Sequence, residues 1–208
     1  KHPVTIERLR LSMDLSYSSD DLAFRDEVRN FISENFPAEI RAPTGTTFGV
    51  SAFQINFGSK GIETSGDVLD VLIVMNPAAL KVNIDDLKPG GLLIADTGAF
   101  SSRNLTKAGY SENPLEGDSL EKYKTLEVDM SRLTKEAVKE HGLTSKEALR
   151  CKNMWSLGLI YWMYGRKRKA TVDWLEDKFK SKPNIAAANI AAINAGHAFG
   201  ETAEMPAE

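Results

Sequence analysis

The sequence predicts an α/β fold, Rossmann-like, with a mainly parallel sheet and helices on both faces. Three observations carry that expectation. Short apolar runs rich in β-branched residues, above all 68–75 (VLDVLIVM), read as buried parallel strands. These runs alternate with capped or amphipathic helical segments, which is the pattern of βα units. The first two runs close on polar residues, Asn76 before Pro77 and Asp96, where a strand hands over to a loop. At 208 residues the chain is one domain, or one domain with an appendage, taking roughly 150 residues per domain.

Taken in order, residues 1–12 form a basic leader, and 18–35 predict an amphipathic helix. Phe24, Val28, Phe31 and Ile32 fall on one face of it. Ser18 or Ser19 can cap this helix, Asp20 and Asp21 suit the positive end of its dipole, and Pro37 ends it. Residues 42–49 (APTGTTFG) read as a loop. Residues 48–57 read as a strand, with Phe48, Val50 and Ala52 alternating against Phe53, Ile55 and Phe57. After a turn region at 58–66 comes the buried strand 68–75, then a short helix from Pro77 to about Val82. Lys88-Pro89-Gly90-Gly91 predicts a turn, and 92–95 a second buried strand ending at Asp96.

The second half reads as mostly helical. A short helix is expected at 101–108 and a third strand at 125–130 (TLEVDM). A helix follows at 133–140, capped by Ser131 or Thr134 and stopped by Gly142. The strongest helix runs from 144 to 164, opened by the capping box Thr144-Ser145-Lys146-Glu147 and stopped by Gly165. Two more helices are expected at 171–179 and 183–197, the last with Pro183 in a favoured first-turn position. Beyond Gly200 the sequence ETAEMPAE reads as the start of a linker.

Composition narrows the function. With 42% hydrophobic and 26% charged residues, the chain is of globular type rather than disordered or collagen-like. There are 26 basic and 29 acidic side chains, and the resulting net charge of −3 argues against a nucleic-acid binder. The single cysteine, Cys151, excludes an intrachain disulfide, a cysteine-ligated iron–sulfur cluster and a Cys-type zinc site built from this chain alone. The longest apolar stretch, 154–164 (MWSLGLIYWMY), falls short of the roughly 18–20 residues a spanning helix needs. No secretory signal core is present at the N-terminus, so a cytoplasmic location is expected, with neither a membrane nor a nucleic acid as partner.

Few residues announce chemistry. Neither GxGxxG nor a P-loop occurs; Gly45 to Gly49 and Gly90-Gly91 both precede strands and read as turns. His2, His141 and His197 lack metal-ligand spacing, so no metal site is expected. Cys151 lies inside an apolar helix and reads as a packed small hydrophobe. Ligands in open parallel sheets sit beyond the carboxyl ends of strands, which makes Asp96 the leading site candidate, with Asn76 in the same position after its own strand. The alternative for both is a helix cap or turn residue. Trp155, Tyr161, Trp162 and Tyr164 crowd a helix that is apolar nearly all round, as expected of core or of a docked subunit surface. Residues 166–169 (RKRK) read as a solvated turn that complements the helix dipole.

From about Phe36 to Glu204 the chain resembles the gamma domain of 2-oxoacid:ferredoxin oxidoreductases. The resemblance rests on FPAEIRAPTGTTFGVSAFQINFG (36–58), DVLIVMNPAALKVNIDDLKPGGLLIADTGAF (70–100), RCKNMWSLGLIYWMYGR (150–166) and PNIAAANIAAINAGHAFGETAE (183–204), in that order. The KNMWSLGL and NAGHAFGETAE forms look most like the alpha subunit of the 2-oxoglutarate type. The resemblance implies oxidative decarboxylation of a 2-oxoacid to an acyl-CoA. Thiamine diphosphate with magnesium, iron–sulfur clusters and coenzyme A would be held in the complex and none of them on this chain. It further implies as partners a thiamine-binding domain or subunit, an iron–sulfur beta subunit and, through the complex, ferredoxin. The gamma domain is then an assembly domain without a catalytic residue, and Glu39, Arg41, Trp155 and Trp162 are the interface candidates.

Two departures from that pattern shape the expected organisation. First, the family's opening strand, glycine-rich loop and helix are absent ahead of FPAEIR, where residues 13–37 instead resemble the N-terminal helix of acyl-CoA dehydrogenases; second, the chain is expected to stop where the linker to a thiamine domain begins. The expected division is therefore a foreign leader and helix at 1–36, the gamma-like domain at 37–200, and a linker start at 201–208. A sheet lacking its first βα unit is expected to be marginal, with an exposed apolar edge or face. The competing function is a free nucleotide- or coenzyme A-binding module.

Overall fold

The computed structural model describes residues 50, 52, 54–56 and 68–203. The chain divides into two compact units, Lys1–Ser65 and Gly66–Glu208. The leader and the helix expected at 18–35 lie outside the described residues. Of the strand expected at 48–57, Ala52 forms an isolated bridge, and residues 50 and 54–56 carry no regular structure.

In the second unit, β1 (Leu69–Val74), β2 (Leu87–Asp96) and β3 (Lys124–Val128) form a parallel sheet in the order β1-β2-β3. The turn expected at 88–91 is absorbed into β2 as an irregularity. Leu69 pairs with Leu87, but Val71 pairs with Leu92, so the Lys-Pro-Gly-Gly stretch bulges out opposite the single residue Asp70. Gly90 makes the bulge possible, because its φ of 77° is a backbone state that side chains disfavour.

Two crossovers link the strands. α1 (Pro77–Asn83) joins β1 to β2, and α2 (Ser102–Ala108) lies between β2 and β3. Both move along the sheet in the same direction, and right-handed crossovers then place both helices on one face. The core agrees: Leu72, Val74, Leu93 and Ala95 pack on that face with Leu80, Phe100 and Tyr123. Lys81 ties the two helices together by donating to the carbonyls of Ala108 (2.9 Å) and Gly109 (3.0 Å) at the end of α2.

After β3 the chain moves to the opposite face. It forms α3 (Met130–Ala137), α4 (Ser145–Arg150), α5 (Lys152–Met163), α6 (Lys169–Lys178) and α7 (Pro183–Thr202). Ile94 and Val128 present this face to Met130, Trp155, Leu159 and Ala192. The expected helices on both faces are present. Several boundaries differ from expectation; β3 closes at Val128 rather than at 130, and α6 spans Lys169–Lys178 rather than 171–179. α3 starts at Met130, because Asp129 rather than Ser131 or Thr134 caps it: Asp129 Oδ1 accepts from Arg132 N at 2.8 Å. α7 runs on to Thr202. The single helix expected at 144–164 keeps its Thr144–Glu147 capping box but breaks at Cys151. There the amide of Cys151 donates to Ala148 O at 3.1 Å, three residues back, and the turn tightens.

α5 and α7 meet almost backbone to backbone. A Cβ placed on Gly158 would lie 2.0 Å from Ile193 O, and one on Gly196 would lie 1.8 Å from Trp155 O. Ala188, Ala192, Gly196 and Gly200 repeat every four residues, which keeps the small side chains on one face of α7. Trp162 fills the space left by Gly200, where a Cβ would lie 2.5 Å from its ring. Gly196→Ala is therefore expected to destabilise the chain by roughly 1–3 kcal/mol or more through overpacking against main chain that cannot yield. The readout is a lower urea midpoint at unchanged slope. Gly117→Ala, where a Cβ meets nothing within 4 Å, is the control and should leave the midpoint essentially in place.

Candidate functional site

The carboxyl end of β2 delivers Asp96 into the interior with 0% exposure. An ionised carboxylate there needs local partners, since desolvation is costly. It has three donors. Ser131 gives its amide to Oδ1 at 3.1 Å and its hydroxyl to Oδ2 at 2.7 Å. Lys152 gives its ammonium to the same Oδ2 at 2.6 Å. The ammonium also donates toward Met75 O at 3.5 Å and Ser131 Oγ at 3.4 Å. One lysine thus bridges the ends of β1 and β2 and the first turn of α3. Ser131 sits there because Asp129 starts α3 one residue after β3, and Lys152 because α5 opens on it.

Asp129 needs its own clearance. A Cβ on Gly98 would lie 2.3 Å from Asp129 Oδ1, so Gly98 makes room for the cap. Two carboxylates therefore face the first turn of α3, where the helix dipole favours negative charge. Outside them lies an open pocket of about 340 Å³ lined by Gly98, Asp129, Ser131, Arg132, Lys135 and Glu136. Its rim is mixed in charge, and a hydrogen bond from Lys139 holds the Glu136 carboxyl below the usual range.

Chemically, the Asp96 cluster is a closed ion pair. Asp96 already accepts three hydrogen bonds and Lys152 is committed to oxygen acceptors, so the arrangement fixes main-chain ends rather than presenting a free base or nucleophile. Asn76, expected at the same edge, is the N-cap of α1, its Oδ1 accepting from Ala79 N at 2.8 Å. The two candidates thus share the carboxyl edge of the sheet but do different work. Lys152 and Ser131 were not expected; the available signal was that Lys152 is the one charged residue of α5.

The remaining candidates lie elsewhere. Trp155, expected at an interface, is 1% exposed and packs its indole on Phe199 with ring centroids 5.2 Å apart. Burial within the chain makes it core and removes it from any contact surface. Trp162 is half-buried on Gly200. Glu39 and Arg41 lie outside the described residues. Gly90-Gly91 sits toward the amino end of the sheet, away from the edge where ligands bind such folds. His197 pairs with Glu201 one turn along α7 at 3.3 Å. Among the described residues no group of three or more His, Cys, Asp or Glu is placed to hold a metal ion, and no helix is long and apolar enough to cross a membrane. Cys151 offers one thiol, 2% exposed, and burial pushes it up to about 11. A lone buried thiol does not fit an iron–sulfur cluster, which takes several thiolates.

Comparison with known proteins gives three results. The family model of pyruvate ferredoxin/flavodoxin oxidoreductase matches residues 21–199, beginning inside the segment set apart as a leader. The 2-oxoglutarate oxidoreductase subunit KorA of Mycobacterium tuberculosis is 51% identical over 170 residues, which is 82% of this chain and 26% of that protein. The chain therefore spans about a quarter of the length of this curated relative. The solved 2-oxoglutarate:ferredoxin oxidoreductase from Magnetococcus marinus, with 2-oxoglutarate, coenzyme A and succinyl-CoA bound, shares the fold with a TM-score of 0.51 at 24% identity. That match covers 76% of this chain and 23% of the solved one.

Two outcomes follow from the geometry. Lys152→Met should cost about 3–5 kcal/mol, because Asp96 stays buried without its cation. Asp96→Leu combined with Lys152→Met should recover most of that loss in a urea double-mutant cycle; full additivity would mean the pair does not interact. Because the folded Cys151 thiol titrates near 11 against an ordinary value of 9.0, its contribution to stability is complete below pH 9 and is lost as pH rises from 9 to 11. Cys151→Ser should flatten that part of the urea-midpoint profile against pH.

Proposed function

The chain belongs to the pyruvate ferredoxin/flavodoxin oxidoreductase family, and from that premise we propose that it is the assembly domain of a thiamine-diphosphate-dependent 2-oxoacid:ferredoxin oxidoreductase of the 2-oxoglutarate type. The observation that carries this reading is the 51% identity to a 2-oxoglutarate oxidoreductase subunit across most of the chain. The proposed reaction converts a 2-oxoacid, coenzyme A and an oxidised carrier into an acyl-CoA, CO₂ and the reduced carrier. Thiamine and iron–sulfur chemistry belongs, in this reading, to partner domains and subunits, since cofactors of this kind carry the difficult steps and the protein orients them.

The residues of this chain support a holding role. The buried carboxylate of Asp96 and the Lys152 ammonium are paired with each other, and the one cysteine is sealed in the core. What the domain offers a partner is a rigid surface, set by the close contact of α5 and α7. A cytoplasmic heteromer containing a thiamine-binding domain and an iron–sulfur subunit is the corresponding assembly.

The test is co-expression of the full polypeptide carrying this chain with the other subunits of its enzyme. The assembled enzyme should reduce a viologen dye with 2-oxoglutarate and coenzyme A present, and far more slowly with pyruvate. A complex that forms but reduces the dye equally fast without coenzyme A would refute the reaction assigned.

A further inference from the structure

α6 packs against α7, and along it Leu175 is buried and Val172 and Phe179 are half-buried. Its outward face carries a large aromatic residue that this packing does not bury. Trp174 is 48% exposed, and the Lys178 ammonium lies 4.7 Å from its ring centroid. The surroundings are basic. Between 166 and 182 there are seven Lys or Arg side chains against three Asp or Glu, a local net charge of +4 in a chain of net −3. Two of the acids are already answered on the helix surface, Asp173 by Lys169 at 2.7 Å and Asp177 by Lys180 at 3.5 Å. Lys178 lies over the indole, and Lys167 and Lys182 are exposed on the segments that flank α6.

We infer that this face of α6 is a docking surface for an acidic-rimmed apolar pocket on another subunit of the same enzyme, with Trp174 as the anchor. The inference rests on the assembly role proposed above and deepens it by naming the surface and the chemistry of the partner. An exposed Trp with a lysine over its ring, on a segment of basic excess, has the elements of an interface hot spot: an aromatic anchor and charged neighbours. Charge complementarity makes the partner's rim acidic. A nucleic acid fits less well, because Asp173, Glu176 and Asp177 stand among the bases where phosphates would lie, and the rest of the chain is acidic. A membrane surface fits less well too, since the outward face offers one large apolar side chain.

The experiment uses the assembled enzyme. A zero-length carbodiimide joins lysine amines to carboxylates in direct contact. Cross-links are expected from Lys167, Lys178 or Lys182 to Asp or Glu of another subunit. Combined Lys167→Glu, Lys178→Glu and Lys182→Glu should weaken assembly at least tenfold, with an effect that grows with falling salt, and Trp174→Ala should weaken it at all salt concentrations. The absence of such cross-links, or assembly of the triple variant within threefold of wild type, overturns the docking surface while leaving the enzyme assignment standing. Cross-links that appear only after ferredoxin is added overturn it in favour of an electron-carrier site. A wild-type chain that assembles with no other subunit overturns both the surface and the functional reading on which it rests.

Discussion

A carboxylate without exposed surface needs hydrogen-bond donors brought to it, and at Asp96 they come from two separate stretches of chain, at Ser131 and at Lys152. That demand sets much of the architecture. Ser131 must arrive on the first turn of α3, so α3 starts directly after β3. Lys152 must arrive at the head of α5, so α5 begins over the carboxyl edge of the sheet beside Met75. Once α5 is placed, α7 has little freedom, because the two backbones touch at Gly158 and Gly196. Replacing such a pair by apolar groups is often neutral or better for stability. Its role here is to specify where the second layer of helices attaches.

The parts of the fold that were legible in the sequence are those whose cause is local. β1 ends where the apolar run meets Asn76-Pro77, and Asn76 caps the following helix as such a residue does. The Thr144–Glu147 capping box formed as written. The misplacements have tertiary causes. Met130 looks like the last residue of a strand because it is apolar, yet it is buried at the first turn of α3 under the Asp129 cap. The break at Cys151 has no Pro or Gly to announce it. It lies between a capped α4 and the buried head of α5, whose lysine is held on the sheet. The site was half legible for the same reason. Asp96 can be found as the residue ending a buried strand, but its partner lies 56 residues away, and a lysine opening a helix ordinarily points to water.

The contrast between the interior and the outer face of α6 bears on how the domain works. Inside, every charged group of the Asp96 cluster is answered, and the α5–α7 seam leaves no space for a side chain at Gly158 or Gly196. The outer face of α6 carries an unburied indole and an excess of positive charge.

The sheet's two faces are built by consecutive, non-overlapping stretches of chain. Among the described elements, those from Leu69 to Val128 make the sheet and its first layer, and those from Met130 to Thr202 make the second. During synthesis the sheet can therefore be complete on one side while Val71, Ile73, Ile94 and Leu126 still face solvent on the other. At ribosomal speed the missing layer takes roughly 4–15 s to emerge. For that interval this apolar sheet face lacks the helical layer that covers it in the folded unit, which makes this the stage at which chaperone capture or aggregation competes most strongly with folding.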